Sequence, residues 1–213
     1  QAEELGHFRF VDVVAAKAGK KTLIIVSDYT RGLPYLGFHY NLLEILLNYL
    51  NDCGIEDKNI SILVGGGTHR PHTKQENIDN FGKTVVERVS ILDHDCDKDA
   101  VFVKDLSTGN KLTVNHNLLK NDIIIATGMI TTHYFAGFSG GRKIIIPSVA
   151  GRESIRKNHA MVLREGVGIG KLKGNPISEE LDEAASKIKP DFLINLVIND
   201  KKEIAFFACG DYE

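Results

Sequence analysis

Histidines with the chemistry for proton transfer stand beside glycine-rich segments of this sequence. His69 and His72 lie three residues apart in GGGTHRPH, and His133 lies in TTHYFAGFSGGRK. Imidazole titrates near neutral pH, so each ring could move a proton, and a His-x-x-His pair could also bind a metal. No acidic or cysteine partner stands at a diagnostic metal-ligand spacing nearby. The pattern therefore leaves acid–base chemistry, metal binding and a structural role open.

A second set of residues is suited to binding an anion. Asp28 and Arg31 follow an apolar run, and a guanidinium group can bind a phosphate or carboxylate with two hydrogen bonds. Asp28 could accept a ribose hydroxyl, orient Arg31 or form an ordinary loop salt bridge. The glycines at 65–67 let backbone amides approach a ligand. Neither a Walker ending nor a dinucleotide fingerprint follows them, so no motif indicates ATP or NAD.

The SGGRK segment combines glycines with two cations. We expect Lys143 to begin an apolar strand at 143–146, where loss of hydration would make its amine nucleophilic. Arg142 could equally be the functional cation. His133 lies among aromatic residues, and desolvation there would lower its pKa.

His159 falls within a predicted helix, Gly151–Leu163. Ile155, His159 and Val162 follow helical spacing, so they share one face, which we expect to point inward. An inward histidine is either a core residue or a metal ligand. One histidine is too few for a zinc site made by protein alone, so a metal there would need ligands from another source.

Alternating strands and helices must position these residues. The pattern predicts one α/β domain over residues 1–213, with a largely parallel sheet, flanking helices and some antiparallel hairpins. Ligands of such sheets bind beyond the carboxyl ends of the strands, where the polar segments above would converge. The predicted strands are Lys21–Ser27, Asn59–Val64, Glu87–Leu92 and Asp122–Thr127. The predicted helices are Phe38–Leu50, Thr73–Phe81, Gly151–Leu163 and Pro176–Ile188. The predicted hairpins are Val101–Leu106 with Lys111–Val114 and Asp191–Ile198 with Glu203–Ala208.

Composition narrows the class of protein. The chain has 213 residues, of which 43 % are hydrophobic and 25 % charged, as in globular proteins. Its net charge of -2 argues against a nucleic-acid partner. The apolar runs are far shorter than the ~20 residues that span a bilayer, so no membrane partner is expected. Three widely spaced cysteines without a CxxC motif favour a reducing, cytoplasmic location.

Four separated motifs, taken in order, resemble nickel-dependent lactate racemases. They are DxxR, GTHR, a histidine ten residues before the lysine of SGGRK, and a histidine sixteen residues further on. The most specific segment is SGGRKIIIPSVAG with the later Asn-His pair. The resemblance covers essentially the whole chain as the N-terminal, cofactor-binding domain of that family. It implies that a C-terminal domain, absent from this chain, completes an active site between the two domains.

The resemblance also implies a cofactor and a role for each residue. In this family a lysine carries a covalent nickel pincer nucleotide, a pyridinium-3-thioamide-5-thiocarboxylate mononucleotide, which accepts and returns a hydride. Its carbon and two sulfurs with one histidine would give the square-planar set suited to Ni(II). The implied roles are attachment for Lys143, nickel binding for His159, acid–base catalysis for His69 and His133, and cofactor contacts for Asp28, Arg31, Phe135 and Pro147, with Arg31 on the phosphate.

The implied reaction is racemisation or epimerisation of a lactate-like 2-hydroxy acid through a transient keto acid. One histidine would act as base for each enantiomer, and cofactor-synthesis enzymes would be partners. Two other functions remain open from the residues. One is a nucleotide- or phosphate-binding module without catalysis. The other is a hydrolase with a metal bound by His69 and His72.

Overall fold

Six strands form one sheet at the centre of the computed structural model, which describes residues 14, 19–32, 34–37, 40–201 and 203–210. The sheet order is β10-β9-β6-β1-β2-β3, and every neighbouring pair is parallel except β9 with β10. Two small antiparallel hairpins, β4–β5 and β7–β8, lie outside it. The strands are β1 (Thr22–Ser27), β2 (Ile60–Gly65), β3 (Ser90–Asp93), β4 (Ala100–Asp105), β5 (Lys111–Asn115), β6 (Ile123–Met129), β7 (Thr132–His133), β8 (Gly137–Phe138), β9 (Phe192–Ile198) and β10 (Ile204–Gly210).

Helices cover both faces of the sheet. Alternate residues of β1 enter opposite apolar clusters: Leu23 packs in the cluster that includes Leu181, and Ile24 in the cluster that includes Leu47. A strand buried on both faces is apolar throughout, which explains the composition of β1 and β6. The described helices are α1 (Leu42–Asp52), α2 (Lys74–Phe81), α3 (Lys83–Arg88), α4 (Arg152–His159) and α5 (Pro176–Ile188).

The order of the strands places a crevice beside β1. The chain passes from β1 to β2 and β3 on one side, and then crosses to β6 and β9 on the other. Ligands of open α/β sheets bind where the strand order reverses in this way, outside the carboxyl ends of the strands. The loops after β1, β2 and β6 therefore meet at one edge of the sheet.

The predicted α/β class, the largely parallel sheet and both predicted hairpins are confirmed. The predicted strand at 143–146 is wrong, because a 3-10 turn spans Gly141–Ile144. Positive φ angles at Gly140 and Gly141 turn the chain inward, and Ile144 and the next two isoleucines are buried without pairing in a sheet.

Three other boundaries differ from prediction. Helix α3 occupies the start of the predicted strand Glu87–Leu92, and the strand begins at Ser90. Helix α4 ends at His159, and a 3-10 turn continues to Leu163. Helix α1 begins at Leu42; the predicted start at Phe38 lies outside the described residues. Within the described part of the chain, no helix is long and apolar enough to cross a membrane.

A buried chain of hydrogen bonds joins the ends of β1 and β6. The Ser27 N–H donates to the Tyr35 hydroxyl over 2.8 Å. The Tyr35 hydroxyl lies 2.6 Å from the Thr127 hydroxyl, which donates to the Ile25 carbonyl over 2.9 Å. Burial, as the largest cause, raises the pKa of Tyr35 from 10.0 to about 12. This series of hydrogen bonds holds β1 and β6 in register beside the crevice.

We expect Tyr35→Phe to lower the free energy of unfolding by about 1–3 kcal/mol, because the Ser27 N–H loses its buried acceptor. Urea unfolding would measure the loss. Tyr134→Phe is the control, since Tyr134 is 69 % exposed. An unchanged midpoint for Tyr35→Phe would contradict this role of the hydroxyl.

The same comparison has an expected pH dependence. A tyrosine with a raised pKa stabilises the folded state below its ordinary pKa of 10.0, and this contribution is lost as pH rises toward about 12, because the unfolded tyrosine ionises first. The stability difference between the native chain and Tyr35→Phe should therefore narrow over this interval. A constant difference would show that Tyr35 ionises equally in both states.

Candidate functional site

Two adjoining cavities of about 260 Å³ and 250 Å³ open at the carboxyl ends of β1, β2 and β6. Both cavities are bordered by Arg31, His133 and Lys143, so they form two lobes around these three side chains. The eight predicted site residues all line the second lobe: Asp28, Arg31, His69, His133, Phe135, Lys143, Pro147 and His159. The structure thus brings together residues that are up to 131 positions apart in the chain (159 minus 28).

Glycines let the loop after β2 lie directly on the segment that follows Lys143. The Gly67 N–H donates to the Ser148 carbonyl over 2.9 Å. Gly67 has a φ of 58°, and a Cβ there would lie 3.2 Å from the Pro147 carbonyl oxygen. This close approach explains the glycine run and places His69 at the rim of the cavity.

His69 and Asp28 form a hydrogen-bonded pair. The Nδ1 atom of His69 lies 2.7 Å from Oδ2 of Asp28, which is buried and also accepts the Thr30 hydroxyl. The carboxylate of Asp28 therefore pairs with His69, and no ion pair joins Arg31 to another of the described residues. No described group bonds Nε2 of His69, so this arrangement suits a general base.

His72, the alternative histidine, has a structural role in this arrangement. Its Nε2 accepts the Tyr29 N–H over 3.0 Å, and its Nδ1 lies 2.8 Å from the Asn77 side-chain oxygen. The ring is buried and stacks on Phe81. Because both ring nitrogens are engaged, His72 holds the loop of Asp28 and Arg31 in place and offers no free nitrogen to a metal.

Lys143 is buried next to His133. Its Nζ atom lies 3.1 Å from Nε2 of His133, and only 6 % of the residue is exposed. Burial, followed by the charges of Arg31 and Arg142, lowers the pKa of Lys143 from 10.5 to about 7. Burial, followed by Lys143 and Arg31, lowers the pKa of His133 to about 4. At neutral pH a substantial fraction of the Lys143 amine is therefore unprotonated beside a neutral imidazole.

Phe135 is the aromatic centre of the site. Its ring centroid lies 4.4 Å from that of His133 and 4.7 Å from that of His159, each in an edge-on arrangement. The Lys143 amine lies 5.2 Å from the same centroid. The Lys143 amine and the imidazoles of His133 and His159 therefore all lie around one buried ring.

His159 is presented from the last turn of α4. Burial, followed by the charge of Lys143, lowers its pKa to about 4, with the Ile155 carbonyl acting in the opposite direction. Its Nδ1 atom is buried without a well-formed hydrogen bond. A neutral imidazole with an unused nitrogen fits a nickel ligand. The predicted inward face is correct for Ile155 but wrong for Val162, which is 41 % exposed because the α-helix has already ended.

Arg142 points away from the cavities toward α5. It donates to the Ser178 hydroxyl over 2.8 Å and lies 3.1 Å from the Asp182 carboxylate. These contacts fix the turn so that the next residue, Lys143, lines both cavities. Lys143, rather than Arg142, is therefore the basic side chain that the SGGRK segment contributes to the site.

Asn195 is a positioning residue that the sequence reasoning missed. Its side-chain oxygen accepts the Gly141 N–H over 2.9 Å at the start of the Lys143 turn. A Cβ at Gly128 or Gly140 would lie within 3.0 Å of that oxygen, so the amide occupies a slot between two glycines. A polar residue in the apolar strand FLINLVI was the available signal.

Comparisons with known proteins identify the family of this chain. The family model described as the lactate racemase N-terminal domain matches residues 10–170. The lactate racemase of Lactiplantibacillus plantarum is 34 % identical over 200 residues, which cover 92 % of this chain and 46 % of that protein. The lactate racemase of Thermoanaerobacterium thermosaccharolyticum is 33 % identical over 213 residues, covering 98 % of this chain and 48 % of the relative.

Solved structures show the same fold. The lactate racemase apoprotein of T. thermosaccharolyticum matches with a TM-score of 0.85 at 33 % identity, over 95 % of this chain and 48 % of that chain. A crystal structure of a Thermotoga maritima protein matches with a TM-score of 0.75 at 24 % identity, over 98 % of this chain and 54 % of that one, which supports the fold alone. The chain spans about half the length of the curated relatives it matches. It belongs to the lactate racemase N-terminal domain family.

Proposed function

We propose that this chain is the cofactor-binding half of a nickel-dependent racemase or epimerase of a lactate-like 2-hydroxy acid. The observation that carries the proposal is the buried amine of Lys143, which shares one aromatic centre with His133 and His159. A binding module without catalysis has no evident need for a lysine with a pKa of about 7 beside two neutral histidines.

The residues present fit the nickel pincer nucleotide. Lys143 would attach it, and the imidazole of His159, which borders the same cavity lobe, would bind nickel. Arg31 would bind the phosphate, and the second cavity lobe is bordered by Phe135 and Pro147, which would wall the ring. When bound, the group would accept and return a hydride.

Asp28 would contact the nucleotide while it also orients His69. Its carboxylate has two oxygens and borders the same cavity lobe as Arg31. A carboxylate has about four acceptor positions, which is enough for His69, Thr30 and a further hydroxyl. A nucleotide contact of Asp28 is therefore compatible with its bonds to His69 and Thr30.

The chain supplies the proton chemistry of the proposed reaction. Racemisation at a secondary alcohol needs a proton taken from the hydroxyl oxygen on one face and returned on the other. His69, supported by Asp28, would take that proton at Nε2, and the resulting imidazolium would be stabilised by the buried carboxylate. His133, across the cavity lobe that both border, would be the second acid–base residue.

The proposed reaction also needs groups from outside this chain. Groups that bind the substrate carboxylate would come from the other half of the protein, since the relatives are about twice as long. Cofactor-synthesis enzymes would load Lys143. A cytoplasmic location is supported by three free cysteines, Cys53, Cys96 and Cys209.

Co-expression of the full-length enzyme with cofactor-synthesis enzymes should add the mass of the nucleotide to the peptide containing Lys143. Lys143→Arg should abolish the adduct, because a guanidinium group is not a nucleophile at neutral pH. Lys171→Arg, a change at an exposed lysine, should keep it. Intact and peptide mass spectrometry would measure both, and an adduct that survives Lys143→Arg would exclude this lysine as the attachment site.

His159→Ala should reduce nickel retention of the loaded enzyme about tenfold or more, because the metal loses its protein ligand. His116→Ala is the control, since that ring bonds the Asp99 carbonyl away from the cavities. Metal analysis after gel filtration would give the nickel content. Equal nickel in the two variants would assign the ligand to another residue.

Acetylation should reveal the neutral amine directly. Only an unprotonated amine reacts with acetic anhydride, so labelling of Lys143 should be half-maximal near its pKa of about 7. N-acetyl-lysine in the same tube is the reference, with an ordinary pKa near 10.5. Peptide mass spectrometry over a pH series gives both curves, and coinciding curves would show that Lys143 is charged in the resting site.

A further inference from the structure

The two proposed acid–base histidines have different hydrogen-bond partners. We infer that His69 and His133 are held in opposite tautomers, so that His69 presents a bare Nε2 acceptor and His133 presents an Nε2–H donor. The tautomers are read from this chain alone. Their catalytic consequence rests on the function proposed above.

The tautomer of His69 follows from Asp28. The carboxylate accepts the Thr30 hydroxyl over 2.9 Å and lies 2.7 Å from Nδ1 of His69. An ionised carboxylate can only accept, so Nδ1 must carry the proton in this bond. The lone pair of a neutral ring then lies on Nε2, where no described group bonds it.

The tautomer of His133 follows from the backbone. The N–H groups of Phe135 and Ala136 both donate to its Nδ1, over 3.4 Å and 3.3 Å. A backbone N–H can only donate, so Nδ1 must keep its lone pair. A neutral ring with an unprotonated Nδ1 carries its proton on Nε2, the reverse of His69.

The partner of Nε2 in His133 is the amine of Lys143. Nε2 of His133 lies 3.1 Å from Nζ of Lys143. An N–H at Nε2 needs an acceptor, and an ammonium group has no lone pair, so the partner must be a neutral amine. The cations Arg31 and Arg142 lower the pKa of the same amine and so favour its neutral form.

The two histidines therefore start the proposed reaction unequally. His69 can take a proton from a hydroxyl oxygen at once, which gives an imidazolium next to the Asp28 carboxylate. Before a cofactor is attached, His133 donates from Nε2 to the Lys143 amine, and the backbone N–H groups hold its Nδ1 as an acceptor independently of that amine. His133 can accept a proton only after its ring leaves the N–H groups of Phe135 and Ala136. The atoms balance because one proton moves from oxygen to Nε2 of His69 and no other bond changes.

Nuclear magnetic resonance of the protein labelled with ¹⁵N-histidine would test this inference without cofactor or substrate. Long-range ¹H–¹⁵N spectra distinguish a protonated ring nitrogen from a bare one, and His69→Gln and His133→Gln would assign the two rings. In mildly alkaline buffer we expect protonated Nδ1 in His69 and protonated Nε2 in His133. Matching tautomers in both rings would overturn the inference.

Two further variants separate the causes. In Asp28→Asn the proton of His69 should no longer be confined to Nδ1, because the carboxylate that fixes it there is gone. The tautomer of His133 should stay unchanged. Lys143→Met should leave Nδ1 of His133 bare, because the backbone N–H groups set it. A shift of the His133 proton to Nδ1 in Lys143→Met would show that the lysine dictates the tautomer, contrary to the inference. These outcomes do not depend on nickel or racemisation, so failure of the proposed function would be seen separately, in the mass and metal measurements.

Discussion

Burial beside two arginines strongly disfavours the charged form of the Lys143 amine. Removing a charged ammonium group from water costs several kcal/mol unless an anion compensates for it. The charges that shift the pKa of Lys143 are the cations Arg31 and Arg142, and the nearby carboxylate of Asp28 is bonded to His69. Loss of the proton is the remaining way to lower that cost, and it makes the amine reactive. The rest of the site follows from this constraint, because every group around Lys143 must tolerate a neutral partner.

Residues that do not carry the proposed chemistry hold this arrangement in place. His72 fixes the loop after β1, the Ser148 carbonyl fixes the loop after β2, and Asn195 fixes the turn that carries Lys143. Each bond joins one post-strand loop to another element through a backbone amide. The loops therefore form one connected layer over the sheet edge, whose positions depend on the strand order beneath them.

Sequence patterns predicted the parts of the molecule that depend on local interactions. Hydrophobic periodicity and turn residues located the parallel strands and the hairpins, and the rule for α/β sheets placed the site residues together. The turn at Lys143 was missed because an apolar run looks the same in a strand and in a buried turn. Its conformation is decided by Asn195, which is 52 residues away in sequence (195 minus 143). The choice between His69 and His72 likewise required their tertiary partners.

The unequal surroundings of His69 and His133 have a kinetic consequence for the proposed racemisation. Two enantiomers have the same free energy in water, so the equilibrium constant between them is unity. The Haldane relationship then requires kcat/KM to be identical in the two directions, whatever the structure of the site. An asymmetric pair of histidines can therefore be expressed only as a compensating difference in kcat and in KM. The enantiomer that the enzyme converts faster at saturation must also be the one it saturates with at higher concentration.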